Sequence, residues 1–220
     1  MEHNESCRFC GIADGHYNYP AIDQPFLTSA SYMAVASIGA LMEGWSLIIP
    51  KQHQFSVKEH YGKKEFQDVV DKTIGLLRHQ YGSVVAFEHG ANKEGSIVAC
   101  GTNHAHLHLV PLNNSLVPEL QDAGMQWTRC RASEVLKTVG DEEYLFYTDL
   151  EVDTPLAEQV GYIHIIDQPV SQFFRKVIAD RLDCTGASNY RDFPNLEVSS
   201  KTRLCLSASY LQNKISEETY

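Results

Sequence analysis

The sequence lacks long hydrophobic runs, a dense set of cysteines and a secretion signal. No apolar run approaches the roughly 20 residues that a membrane helix needs, so we expect no membrane partner. The first five residues are polar and acidic, which is not typical of a signal peptide. Six scattered cysteines in 220 residues are too few for a disulfide scaffold. We therefore expect a reducing, cytoplasmic location.

Positive charge is also scarce. The chain has 18 basic and 28 acidic residues, which gives a formal net charge of −10. Such a surface repels a long nucleic acid over most of its area. A small phosphorylated ligand remains compatible, because one local pocket can oppose the net sign. The 43% apolar and 21% charged content is typical of a folded globular chain and excludes a disordered one.

The hydrophobic pattern of the first half predicts an α+β fold. A helical stripe within residues 58–81 is formed by Phe66, Val69, Val70, Ile74 and Leu77. Strands are predicted at residues 32–36, 45–49, 83–87, 97–100 and 104–110. These elements predict an antiparallel five-stranded sheet with a helix packed on one face.

The second half is more mixed. Strands are predicted at residues 144–147 and 162–166, and a helix at residues 171–182. We therefore divide the chain into a core domain at 1–112, an α/β extension packed on it at 113–194 and a polar tail at 195–220. The tail lacks clear periodicity, so we expect it to be loosely ordered, with one short helix, and dispensable for function.

The most informative stretch is residues 104–110, where His104, His106 and His108 alternate with Ala105 and Leu107. Alternate side chains of a strand share a face, so the three imidazoles should point the same way, about 6.6 Å apart along the strand. Two other interpretations are an exposed polar face and a metal-binding face without catalysis.

A second pattern is Cys7-Arg8-Phe9-Cys10 near the start of the sequence. A gap of two residues lets both sulfurs bind one metal ion. Two free thiols are the alternative.

The histidine stretch resembles the signature of the histidine-triad (HIT) family, which is His-x-His-x-His followed by apolar residues. Residues 44–53, Gly-Trp-Ser-Leu-Ile-Ile-Pro-Lys-Gln-His, resemble the strand of that family that ends in Ile-Pro-Lys with a nearby histidine. The resemblance covers residues 7–112. Residues 87–90 and 172–175 resemble the corresponding stretches of a longer branch of that family, in which an extra strand–helix unit follows the core.

The resemblance implies an enzyme of nucleotide chemistry. By position, His106 is the nucleophile that attacks an α-phosphorus and forms a nucleotidyl-histidine intermediate, and His108 stabilises the developing charge. A backbone carbonyl would hold the proton on the other nitrogen of His106. The candidate nucleotide- and phosphate-binding residues are His108, Thr102, Asn103 and His89.

Two positions depart from the family pattern. A Gly-Gln-Ser or Gly-Gln-Thr just before the triad is replaced by Ala-Cys-Gly-Thr-Asn at residues 99–103, and an asparagine on the preceding strand is replaced by Glu88. A carboxylate beside a phosphate site is unfavourable unless His89 or Lys93 neutralises it.

Zinc-containing members of the family offer a use for the cysteine pair. The resemblance implies that Cys7, Cys10, His53 and His104 hold a structural Zn²⁺ ion. Four sulfur and nitrogen ligands suit a closed tetrahedral site. In the alternative, the thiols are free and His53 caps a backbone group.

The leading functional hypothesis is a hydrolase that releases a nucleoside monophosphate from a dinucleoside polyphosphate or a nucleoside phosphoramidate. A nucleotidyltransferase or phosphorylase that uses the same histidine is one alternative, and a nucleotide-binding protein without turnover is the other. Family members commonly form homodimers through the long helix and an edge strand. The stripe at Phe66, Val70, Ile74 and Leu77 could supply that interface or could be covered by the sheet of its own chain.

Overall fold

A computed structural model describes residues 6–96, Val98 and residues 103–218. Within these residues the strands are β1 Leu27–Thr28, β2 Tyr32–Ala36, β3 Ser46–Pro50, β4 Val84–Gly90, β5 Leu107–Pro111, β6 Thr128–Arg131, β7 Tyr144–Asp149 and β8 Val160–Ile165. The helices are α1 Arg8–Ala13, α2 Pro20–Asp23, α3 Lys64–Tyr81, α4 Val117–Asp122, α5 Val135–Val139, α6 Phe173–Arg181 and α7 Leu196–Glu218. None of these helices combines the length and the apolar character needed to cross a bilayer.

All eight strands form one sheet in the order β1-β2-β3-β5-β4-β7-β8-β6, and every neighbouring pair is antiparallel. The α+β class and the antiparallel sheet are confirmed, but the sheet has eight strands rather than the predicted five. β7 pairs with β4, so the three strands of the extension continue the sheet of the first half. The domain boundary at residue 112 stays a prediction.

The predicted strand at 97–100 lies outside the described residues except for Val98, which is in a turn. The fifth strand of the first half is instead β1, at the sheet edge beside β2. β1 and β6 have two and four residues, which is too short to show an alternating pattern in the sequence.

One face of the sheet is covered by α3. The stripe of Phe66, Val70, Ile74 and Leu77 is buried against sheet residues such as Leu107. The sheet of the same chain therefore covers the stripe, which is one of the two alternatives that the sequence left open. The homodimer stays a prediction.

The other face is covered as well, by residues of α1, α4 and α6, whereas the sequence predicted a helix on one face alone. Phe9 of α1, Leu120 of α4 and Phe174 of α6 are each at most 2% exposed in this second core. Side chains on this face of the sheet are thus held between the strands and α1 or α6. The histidines of β4 and β5 lie on this face.

The predicted polar tail is not loosely ordered. It contains α7, a helix of 23 residues. Ser199, Thr202 and Leu206 are fully buried. Ser199 Oγ donates to the Ser37 carbonyl (2.6 Å), and the Gly44 amide donates to Thr202 Oγ1 (2.9 Å). Two of the three buried positions are polar, which hid the helical stripe in the sequence.

Glu88 is fully buried on the α3 side of the sheet, since it alternates along β4 with Phe87 and His89. Its carboxylate accepts hydrogen bonds from the Val57 amide (2.6 Å), the Tyr61 hydroxyl (2.9 Å) and the Tyr144 hydroxyl (2.6 Å). Burial raises the pKa of Glu88 to about 7. The expectation that Glu88 faces the phosphate site is therefore wrong, and neither His89 nor Lys93 is needed to neutralise it.

We predict that α7 is required for stability. Leu206→Ala should lower the free energy of unfolding by about 2–5 kcal/mol, because it leaves a cavity in the core. Leu204→Ala on the same helix is the matched control: Leu204 is 58% exposed, so its loss should change stability by no more than about 0.5 kcal/mol. Urea unfolding measures both. Equal effects, or a chain truncated after Pro194 that unfolds at the wild-type urea concentration, would contradict the prediction.

We predict that Glu88 makes stability depend on pH. Its folded pKa of about 7 lies above its ordinary value of 4.5, so its contribution is fully present below pH 4.5 and is lost as pH rises through 7. Glu88→Gln has no such titration. The unfolding free energy of the wild type minus that of Glu88→Gln should fall between pH 5 and 8, by an amount on the order of a few kcal/mol. A difference that stays constant with pH would show that Glu88 does not titrate in this range.

Candidate active site and metal centre

Four sulfur and nitrogen atoms converge beside β5. They come from Cys7, Cys10, His53 and His104, and these ligand atoms all lie within 4.8 Å of one another. The Sγ–Nδ1 distances are 3.3 Å from Cys7 to His104, 3.3 Å from Cys10 to His53 and 3.7 Å from Cys10 to His104. Zinc bonds of about 2.0–2.3 Å place tetrahedral ligands about 3.3–3.8 Å apart, so this donor set fits zinc.

Three chain segments bring the four residues together. Cys7 and Cys10 belong to the start of α1, His53 follows the end of β3 at Pro50, and His104 precedes β5. His104 Nε2 donates to the Pro50 carbonyl at 2.7 Å. With its proton held there, His104 keeps the lone pair on Nδ1, which is the atom that faces the sulfurs.

His106 lies next to this cluster. The strand begins at Leu107, so His104 and His106 precede β5 instead of lying in it as predicted. His106 Nδ1 donates to the His104 carbonyl at 2.8 Å. The lone pair of a neutral His106 is therefore on Nε2. Phe9 contacts both rings edge-on, with centroids 5.6 Å from His104 and 5.5 Å from His106, so both rings lie on one side of the sheet.

His108 lies within β5, where its backbone pairs with Leu47 of β3 and Phe87 of β4. Its ring stacks on Phe87 at 4.5 Å and lies 4.7 Å from the ring of His106. The indole Nε1 of Trp45 donates to His108 Nδ1 at 2.9 Å. A neutral His108 therefore carries its proton on Nε2, and this buried atom has no hydrogen-bond partner in the described part of the chain.

His89 and Arg175 complete the wall of the site. The ring of His89 lies 6.2 Å from that of His108 and 5.1 Å from that of Phe174. Arg175 is on α6, and its guanidinium lies 5.2 Å from the ring centre of Trp45. The sequence alone assigns no role to Trp45 or Arg175, because no local spacing shows that these two residues meet in space.

Burial favours the neutral forms of His89, His106 and His108. Burial lowers the pKa of His89 to about 3, with smaller contributions from the charges of His106 and Arg175. Burial also lowers the pKa of His106 and, helped by the neighbouring histidines and Arg175, holds that of His108 well below its usual range. A neutral imidazole has one lone pair and one N–H, so these rings can both attack and donate.

Two cavities that share three lining residues adjoin these side chains. The inner pocket has a volume of about 50 Å³ and is lined by Arg8, Phe9, Ser37, Ile38, Leu47, His89, His106, His108, Arg175 and Tyr190. The outer cleft has a volume of about 550 Å³ and shares Arg8, Ile38 and Tyr190 with the inner pocket. The inner pocket suits one compact chemical group, whereas the outer cleft is within the size range of small-molecule sites.

The predicted nucleotide- and phosphate-binding residues do not all line the same cavity. His89 and His108 line the inner pocket, and Asn103 lines the outer cleft. Thr102 lies outside the described residues. The cleft also offers the rings of Tyr19 and Tyr190 and the side chain of Arg191. The sequence did not predict a role for these three residues. Tyr190 and Arg191 belong to a loop of the extension, far in sequence from the histidine stretch.

Comparisons with known proteins give structural neighbours only. No protein-family model and no curated protein matches the chain. Among solved structures, a zinc-bound histidine triad family protein from Mycobacterium smegmatis is 22% identical, with 50% of this chain and 77% of that chain covered and a TM-score of 0.37.

Two further neighbours carry similar descriptions. A HIT family protein from Bacillus anthracis is 21% identical, with 54% and 92% of the two chains covered and a TM-score of 0.38. A HIT family hydrolase from Clostridium thermocellum is 18% identical, with 51% and 96% covered and a TM-score of 0.37. The structural neighbours are thus HIT family proteins, the family that the sequence resembles. Because these TM-scores are low, the function of the chain is inferred below from its own residues.

Proposed function

We propose that the chain is a nucleotide hydrolase that acts on an α-phosphate through a covalent nucleotidyl-histidine intermediate and releases a nucleoside monophosphate. The observation that carries this proposal is the hydrogen bond from His106 Nδ1 to the His104 carbonyl, which leaves the Nε2 lone pair available for attack. The inner pocket that His106 lines has room for a phosphoryl group, and the adjoining cleft has room for a nucleoside.

The first step forms a bond between His106 Nε2 and the phosphorus, and the P–O or P–N bond to the leaving group breaks. The leaving group departs with the electron pair of that bond. In the second step a water oxygen bonds to the phosphorus, the electron pair of the P–N bond returns to Nε2, and the proton of the water passes to solvent. His106 keeps its Nδ1 proton throughout, because Nδ1–H donates a hydrogen bond to the His104 carbonyl.

His108 would stabilise the charge that develops on the phosphoryl oxygens. Its Nε2–H is held in place by two features, the stacking on Phe87 and the hydrogen bond from Trp45 to Nδ1. A donor that is fixed before the reaction begins costs little reorganisation when charge develops. Trp45 is therefore a positioning residue: it fixes the proton of His108 on the nitrogen that faces the substrate.

We further propose that Cys7, Cys10, His53 and His104 hold a structural zinc ion. The four ligands would fill a tetrahedral site and leave no open position for a water. Bound zinc would supply folding energy to the start of α1. Arg8 and Phe9 lie between the two cysteines and line the inner pocket, so fixing α1 would also fix that wall.

We predict that His106 carries the covalent adduct. His106→Ala should abolish nearly all hydrolysis of a dinucleoside tetraphosphate and a fluorogenic nucleoside phosphoramidate, because the attacking lone pair is lost. His79→Ala, an exposed histidine of α3, is the control and should keep wild-type turnover. Mass spectrometry without acid should find a nucleoside monophosphate adduct on the wild type and on His79→Ala, and none on His106→Ala.

Assays with and without inorganic phosphate separate the alternatives. Turnover only with phosphate would indicate the transferase, and tight nucleotide binding without turnover would indicate the non-catalytic protein. Wild-type turnover by His106→Ala would show that another group attacks the phosphorus.

We predict about one zinc ion per chain. Cys10→Ala should lose the metal and unfold at a lower temperature, because the metal contributes folding energy. Cys184→Ser is the control, since Cys184 lies outside the four-ligand cluster, and it should keep both the metal and the melting temperature. Metal analysis and thermal unfolding measure the two effects. Purified wild-type protein without zinc, or Cys10→Ala with full zinc content, would refute the site.

A further inference from the structure

We infer that Arg175 is the fixed cation of an anion-binding subsite in the inner pocket, with His89 and His108 as its neutral hydrogen-bonding members. The ligand of this subsite is a compact tetrahedral oxyanion, namely a phosphate group. This inference rests on the proposed function for the statement that the phosphate group belongs to a nucleotide substrate. Because Arg175 lies on α6, this inference makes the extension part of the site.

Arg175 is held rigidly. Its side chain is 5% exposed, and its guanidinium donates to the carbonyl oxygens of Gly39 (2.7 Å), Ser188 (2.9 Å) and Ala187 (3.4 Å). The 5.2 Å distance to the ring centre of Trp45 adds a cation–π contact. The positive charge therefore stays at the wall of the pocket whether or not a ligand is present.

The buried ring of His89 is a second observation, independent of Arg175, that points to a ligand in the inner pocket. It is only 8% exposed, and neither ring nitrogen has a hydrogen-bond partner in the described part of the chain. His108 Nε2 is buried and without a partner in the same way. Buried polar atoms without partners are rare because they cost free energy. Both rings line the inner pocket, so a ligand bound there could satisfy them.

The balance of charge around the pocket favours an anion. Arg8 and Arg175 are the two arginines among the residues that line it, and that lining contains no aspartate or glutamate. Arg8 already pairs with the buried carboxylate of Asp23. Arg175 thus gives the pocket a positive charge in a chain whose formal net charge is −10. The volume of about 50 Å³ excludes a nucleoside and suits a single phosphate group.

A purely structural role for Arg175 makes a different prediction. Arg175 also binds Gly39 in the loop between β2 and β3, and that loop brings Ser37 and Ile38 to the pocket. A residue that only supported this loop would affect stability without setting the affinity for an anion. Affinity and stability therefore have to be measured on the same variants.

The test titrates inorganic phosphate into zinc-loaded protein by calorimetry. Wild type should bind phosphate saturably at about one site per chain. Arg175→Gln should weaken binding roughly tenfold or more, because a charge-assisted hydrogen bond is lost. Arg175→Lys keeps the charge and should lose less affinity. Arg181→Gln is the matched control: Arg181 is on the same helix but pairs with Glu119 away from the pocket, and its loss should leave affinity unchanged.

A measurement on unaltered protein covers the case in which Arg175→Gln does not fold. In protein labelled with ¹⁵N at arginine and histidine, phosphate should shift the signals of Arg175, His89 and His108 and leave that of Arg181 in place. The absence of saturable binding by wild type, or shifts confined to other residues, would overturn the subsite. Wild-type affinity in a folded Arg175→Gln would do the same.

The outcomes also separate the subsite from the proposed function. Phosphate binding that needs Arg175 in a protein without turnover or a His106 adduct would leave the subsite standing and remove the hydrolase. Turnover through His106 with no phosphate binding at Arg175 would do the reverse.

Discussion

The site depends on the way His104 is held between two neighbours. Its Nε2–H donates a hydrogen bond to the Pro50 carbonyl, which leaves Nδ1 facing Cys7 and Cys10. Its own carbonyl accepts a hydrogen bond from the Nδ1–H of His106. One residue therefore fixes the lone pair of a proposed metal ligand and the lone pair of the proposed nucleophile. A shift of His104 would disturb both, so metal binding and catalysis should be coupled through this residue.

The pocket is assembled from distant parts of the chain. Gly39 shows how closely they approach: it has φ +70°, and an added Cβ would lie 2.4 Å from the Cβ of Tyr190. The Gly39 amide donates to the Pro194 carbonyl at 2.6 Å, and its carbonyl accepts from Arg175. The extension thus holds the loop between β2 and β3 in position. Because α7 holds the same loop through Ser199, the C-terminal residues support the pocket without reaching it.

What the sequence predicted follows from local rules. The alternation of histidines and the two-residue gap between Cys7 and Cys10 are set by neighbouring positions, and the structure brings Cys7, Cys10, His53 and His104 together as expected. β2, β3, β4, β5 and α3 follow from hydrophobic periodicity, whereas β1 is too short to show it. Arg175, Tyr190 and the burial of α7 depend on contacts between residues far apart in sequence, which no local pattern encodes. α7 was also hidden because two of its buried positions, Ser199 and Thr202, are polar.

The proposed nucleophile has to be neutral, whereas an anionic phosphate group needs a positive charge nearby. In the proposed reaction, attack on phosphorus needs a lone pair, so His106 would have to be neutral, and burial lowers its pKa in that direction. The same burial, reinforced by Arg175, keeps His89 and His108 neutral as well. Three neutral rings offer an anionic phosphate no net charge, and the surrounding protein is acidic. The cation of the proposed phosphate subsite must therefore be a group that stays protonated when buried. Among side chains this requirement selects arginine over lysine and histidine, and Arg175 meets it at the wall of the pocket.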